Sequence, residues 1–190
     1  MTSLPLFLLA VLTLLATPGP TNTLLATGGA TRGIRQGLPL LAAELGGYLI
    51  AISIVGFGLR PLFSAMPGVA ITLKVLVGIY LIYAAIKLWR GAGQNQTGAS
   101  LVTLGNVFVT TLLNPKVLIF ALVILPFGHD GIAGYLAMFS LCVVAVGCCW
   151  VSFGAFLGLT AGRKYPRLVP RIASLALAGF ASFILASAFG

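Results

Sequence analysis

The chain has 190 residues, 59% of them apolar and only 7% charged, with a mean hydropathy of +1.13. A soluble domain carries roughly 25% charged residues, so this composition excludes a water-solvated globular surface and makes lipid the solvent for most of the exterior. The net charge of +9 sets 11 basic residues against Asp130 and Glu44, and because the basic residues sit at the ends of apolar runs they read as topology signals and headgroup contacts, not as a nucleic-acid surface.

Leu4–Thr27 is the first apolar stretch. It lacks a positively charged start and an A-x-A site, so it reads as a membrane span and not as a cleaved signal. Thr17-Pro18-Gly19-Pro20-Thr21-Asn22-Thr23 interrupts it. Proline inside a helix removes a backbone donor and clashes with the preceding turn. In hydrocarbon such a break is tolerated only where protein or a water-filled cavity covers it, so this backbone is expected to face something polar. Thr13, Thr17 and Thr21 recur at a spacing of four and are expected to share one face.

The second stretch, Leu38–Leu59, carries Glu44 about two turns in. The third, Val69–Leu88, carries Lys74 near one end, where it is expected to snorkel to the interface as an anchor. Tyr80 and Tyr83 share a face of this span, lining a solute path or packing against aromatic neighbours. The longest polar piece, centred on Gln94-Asn95-Gln96-Thr97, then divides the chain near its middle.

Leu101–Pro126 is the fourth stretch, broken at Asn114-Pro115-Lys116. Thr103, Asn106, Thr110 and Asn114 fall at helical spacing and form a polar stripe, either for a zwitterionic solute or for packing against neighbouring helices. Lys116 lies about half-way along its span. Ionisable residues at such depth rarely face lipid. Three readings stand for Lys116 and Glu44: a mutual ion pair, a proton carried by Glu44, or a Lys116 that satisfies carbonyls freed by Pro115. His129 and Asp130 belong to a solvated turn. The fifth and sixth stretches are Ile132–Leu159 and Leu168–Phe189. Gly147, Gly154 and Gly158 in the fifth suggest close helix packing, within the chain or across a homodimer. Cys142, Cys148 and Cys149 form no CxxC and have no metal-ligand neighbours, so they read as small apolar residues.

Six spans in a single all-α membrane domain follow, with no cofactor and no enzyme chemistry indicated. The first, third and fifth connections hold most of the Lys and Arg, which places them in the cytoplasm and both termini outside. The two broken spans are three apart, so they occupy equivalent positions if halves 1–90 and 101–190 are inverted repeats joined by the linker 91–100. Broken helices paired in this way point to a transporter's binding site.

The stretches Thr17-Pro18-Gly19-Pro20 with Asn22-Thr23-Leu24-Leu25, Leu112-Leu113-Asn114-Pro115-Lys116, and Gly78-x-Tyr80-Leu81 through Lys87 resemble the lysine-exporter (LysE/RhtB) family of bacterial amino-acid exporters. Length, span number and the mid-chain linker agree with that resemblance over essentially the whole chain. It implies efflux of a small amino acid or derivative across the bacterial plasma membrane, driven by the proton-motive force. Site residues are expected at Thr17, Pro18, Gly19, Pro20, Asn22, Asn114, Pro115 and Lys116, with Glu44 for proton coupling or ion pairing. A neutral amino acid is preferred, because one Glu and no deep Asp offer little to a cationic side chain. The alternative is an exporter of a metal or other small ion on a related fold.

Overall fold

The computed structural model describes residues 4–59, 67–91, 102–128, 130–162 and 167–189. Arg60, Met66, nearly all of the mid-chain linker, His129, Arg163 and Lys164 lie outside the described residues. The described elements are helices: α1 (Leu4–Ala16), α2 (Pro20–Arg32), the single turn α3 (Ile34–Gly37), α4 (Leu40–Ser53), α5 (Pro67–Gly91), α6 (Leu104–Leu112), the short α7 (Lys116–Ile119), α8 (Ile132–Leu157) and α9 (Leu168–Phe189). α4, α7 and α8 each run on into a wider π-helical turn, at Ile54–Leu59, Phe120–Ile124 and Gly158–Gly162.

Among the described residues, three helical segments are long and apolar enough to cross a bilayer: Ile34–Gly58, Ile132–Thr160 and Leu168–Ala186. Two bent pairs, α1 with α2 and α6 with α7, bring the number to five. The expected third span, α5, is a helix of 25 residues. Large apolar side chains such as Leu9 (64%), Val123 (77%) and Phe183 (73%) are exposed around the outside. So much apolar surface is stable only against lipid.

Both sequence-predicted breaks are present. The chain bends by 62° between α1 and α2 and by 51° between α6 and α7. In the first break, Pro18 and Pro20 delete the amides that would have bonded the Leu14 and Ala16 carbonyls. The bend then turns Thr21 inward while Thr13 and Thr17 remain exposed, so the three threonines do not form the single expected stripe. α2 also runs further than Thr27, to Arg32, whose guanidinium donates to the Val102 carbonyl at the start of the fourth span. A glycine with φ 79°, Gly33, then turns the chain.

Close packing of α2 on α8 fixes this part of the molecule. A Cβ on Gly154 would lie 1.9 Å from the Ala26 carbonyl oxygen, and one on Gly29 would lie 2.0 Å from that of Val151. Gly158 meets Ala30 in the same way. The small-residue spacing in α8 therefore serves contact within the chain, backbone against backbone.

The buried apolar residues form two clusters. The first joins Leu24 and Leu25 of α2, Leu40 and Leu41 of α4, Val107 of α6 and Val151 of α8 to a row along α5 and α9. The second joins Phe7, Val11 and Leu15 of α1, Tyr48 and Ile52 of α4, Phe120 and Ala121 after α7, and Phe139 and Val143 of α8. In α4, α8 and the two broken spans, the change from one cluster to the other occurs at the same level. Glu44, Gly147 and both breaks lie at that level.

Candidate substrate-binding site

The polar level between the two clusters is built from main chain freed by the breaks and from side chains that answer it. Asn22, one turn into α2, reaches back with its Nδ2 to the Leu15 carbonyl (2.7 Å) and the Thr17 carbonyl (3.0 Å). It thereby caps the end of α1 from the following helix. Thr23 Oγ1 donates to the Gly19 carbonyl at 2.9 Å. The first main-chain bond of α2 is Thr23 N–H to Gly19 O, 2.9 Å. The amides of Thr21 and Asn22 precede it, and they are the donors that a helix start leaves without an intrahelical acceptor.

The second break supplies the facing wall. Asn114 accepts from the Lys116 amide through Oδ1 (3.0 Å) and donates through Nδ2 to Thr21 Oγ1 (3.0 Å) and to the Tyr48 hydroxyl (3.3 Å). Thr111 Oγ1 donates to Thr21 Oγ1 at 3.2 Å. The Lys116 ammonium donates to the Thr17 carbonyl, and Cβ at Gly19 would stand 3.1 Å from both Lys116 Cε and Nζ. Thus the two breaks, about 95 residues apart in sequence, are tied directly to one another. Lys116, Asn114, Asn22 and Thr21 are all buried.

Glu44 lies at the same level and is 2% exposed. Its Oε2 has no hydrogen-bond partner, and Gly147 makes room for it: a Cβ there would sit 2.6 Å from that oxygen. Lys116 and Glu44 form no direct ion pair, because the ammonium is turned to Thr17. A buried, unbonded carboxyl oxygen is uncommon.

Of the sequence-predicted residues, Gly19, Pro20, Asn22, Asn114, Pro115 and Lys116 gather at the two breaks. Thr17 contributes its carbonyl, while its hydroxyl bonds Thr13 O at 2.8 Å on the exposed side. Pro18 is exposed and acts by breaking the helix. The stripe in the fourth span divides by function. Thr103 caps α6 by accepting from the Asn106 amide at 3.1 Å, and Thr110 bonds Tyr80 on α5 at 3.2 Å. Only Asn114 reaches the centre. Tyr48 and Thr111 were not singled out by sequence reasoning. Tyr48 is four residues after Glu44, on the same face of α4, and that spacing was the available signal.

Lys74, expected from its position to be an interfacial anchor, is half-buried. With Val77 it lines a cavity of about 200 Å³, whose other described walls are Ala51, Ile54 and Val55, Leu112, Leu113, Pro115, Val117 and Leu118 around the second break, and Ile184. Tyr83 is 60% exposed, so of the tyrosine pair only Tyr80 turns inward.

The family model for LysE type translocators matches residues 12–188. The chain belongs to the LysE type translocator family. This makes it an integral membrane transporter and agrees with the resemblance carried by the two proline breaks. No curated protein and no solved structure matches it. For a translocator, the geometry has a direct reading: hydrogen-bond donors and acceptors that would be penalised in lipid are concentrated where two broken helices meet.

Proposed function

We propose that this translocator is a secondary active exporter of a small amino acid or derivative, driven by the proton-motive force and working by alternating access between two inverted three-helix halves. Six spans result when α5 crosses with the other five, and the halves are then 1–90 and 101–190. The observation that carries this reading is the clasp of the two breaks, Asn114 to Thr21 at 3.0 Å with Lys116 on the Thr17 carbonyl. Bonds of this kind, between helix interruptions in corresponding positions, can be exchanged for bonds to a solute.

A substrate carboxylate suits the first turn of α2, where the Thr21 and Asn22 amides and the helix dipole favour an anion. Lys116 would turn from the Thr17 carbonyl to that carboxylate, replacing one charge-assisted bond with a stronger one. Glu44 would carry the proton. With Glu44 and Asp130 as the whole acidic inventory, a neutral amino acid fits better than a basic one. In the bacterial plasma membrane, Arg32, Arg35, Lys87 and Arg90 would lie on the cytoplasmic side, with both termini outside.

Efflux of labelled amino acids from cells expressing the wild type, Pro18→Ala and Asn114→Ala tests the site. Export by the wild type and its loss in both properly inserted variants is the expected result. Unaltered efflux in the variants rejects the site.

A further inference from the structure

We propose that the end of the α5 and α9 pair, at Trp89 and Arg171, is a binding site for the headgroup of an anionic phospholipid. The site belongs to the lipid-facing exterior and is independent of which solute the protein carries.

It follows from the way the two helices pair. α5 and α9 run antiparallel in a fixed register: Ser174 Oγ donates to the Ala85 carbonyl at 2.7 Å, and a Cβ on Gly78 would lie 2.5 Å from Leu185 Cγ. Ala85, Leu88, Ala173 and Leu177 face inward, within the first apolar cluster. The same register brings Arg171 to Trp89, with the guanidinium carbon 5.1 Å from the ring centroid. Both residues are exposed. So is Arg167, directly before α9, whose carbonyl accepts from the Arg171 amide at 3.2 Å. From that end toward the middle of the helices, the exposed side chains become Ile86 and Ile82 on α5, with Ile172 and Leu175 on α9. The pair thus presents a strip that is cationic and aromatic at its end and aliphatic below.

That order of side chains matches a phospholipid. A tryptophan at a membrane interface settles at headgroup level. A guanidinium over an indole is attracted by the negative face of the ring, and its N–H edge suits two phosphate oxygens. The acyl chains then lie along Ile86 and Leu175. Charge decides among headgroups. The chain's two acidic side chains are elsewhere: Glu44 is buried against Gly147, and Asp130 precedes α8, whose opposite end leads toward α9. The ammonium of a zwitterionic headgroup therefore meets arginines and no side-chain carboxylate, whereas phosphatidylglycerol brings a net negative charge. Each basic residue at the surface favours an anionic lipid by about fivefold.

Fluorescence quenching by brominated lipid reads this place directly. The chain's two tryptophans are Trp89 and Trp150, so Trp150→Phe leaves Trp89 as the sole reporter. In phosphatidylcholine vesicles, brominated phosphatidylglycerol is compared with brominated phosphatidylcholine at equal mole fractions. Trp89 should select phosphatidylglycerol by about fivefold or more. Arg171→Met should bring that selection close to one and Arg167→Met should lower it. Arg35→Met, which removes the same charge from α3, should leave it unchanged. Equal quenching by the two lipids before any arginine is replaced overturns the site. So does a selection that survives Arg171→Met, or one that Arg35→Met lowers as far, since diffuse charge would then be its source. A selection abolished by inorganic phosphate, and not by chloride at equal ionic strength, makes a soluble anion the ligand and overturns it too. If Arg171→Met does not insert, the unreplaced ratio and Arg167→Met decide, and an unchanged selection in Arg167→Met is then the overturning result.

Discussion

Asn114 satisfies three partners, the Lys116 amide, Thr21 of α2 and Tyr48 of α4. Its removal takes the acceptor from the Lys116 amide and one bond each from Thr21 and Tyr48 at a buried level. Each such loss costs about 1–3 kcal/mol in a buried setting. Asn114→Ala is therefore expected to lower the thermal midpoint of the purified protein and to lower export, while Asn114→Gln, a methylene too long for the Thr21 contact, restores neither. Glu44 makes a different prediction. With Gln at this position the carboxamide cannot carry a proton, so uphill export should collapse while exchange of labelled for unlabelled substrate across proteoliposomes persists; equal loss of both would remove Glu44 from proton coupling. Gly147→Ala places a methyl 2.6 Å from where Glu44 Oε2 now lies, and should impair coupling without touching Lys116. Asn22, Asn114 and Lys116 were legible in the sequence because each stands within two residues of a proline, whose effect on the backbone is local and fixed. Tyr48 and Thr111 were not, since an aromatic or a threonine in an apolar run is ordinarily packing. Thr17 enters through its carbonyl, which no residue type announces.

At the scale of helices, the seam between α2 and α8 governs how firmly the first break is held. The backbones touch at Gly29, Gly154 and Gly158, and no side chain can be accommodated between them. Gly154→Val should separate the pair, and overpacking of this kind destabilises by about 1–3 kcal/mol. A drop in the melting temperature in detergent, with export falling in parallel, is the expected outcome; a wild-type melting curve would show that the helices separate freely. The existence of the helices and the positions of both breaks followed from apolar run length and proline. Their ends did not. α2 continues five residues beyond the expected boundary, because Thr27 through Ala30 are small enough to stay helical against α8, and composition alone scored that stretch as a span end. The stripe in the fourth span likewise had the right period but two destinations, α5 for Thr110 and the centre for Asn114.

For the molecule as a whole, charge asymmetry sets an orientation that labelling can check. In a background lacking the native cysteines, Arg35→Cys should react with a membrane-impermeant maleimide only in inside-out vesicles, and Asp130→Cys only in intact cells; the reverse pattern would invert the route drawn for the substrate. Both residues are exposed, so access is decided by the membrane and not by burial. Membrane residence and the all-helical fold were readable from composition, since too few charges remain to face water. The division of the interior into two apolar clusters was not readable, because the same leucines and valines build both and only three-dimensional pairing separates them. That division has a mechanical meaning. Packed hydrocarbon resists deformation because every displaced methyl must find a new hollow, whereas a sheet of hydroxyls, amides and carbonyls can trade one partner for another with little change in volume. In the alternating-access cycle proposed above, the boundary through Thr21, Glu44, Gly147 and Asn114 serves as a slip plane, along which the two ends of the protein tilt with neither having to melt.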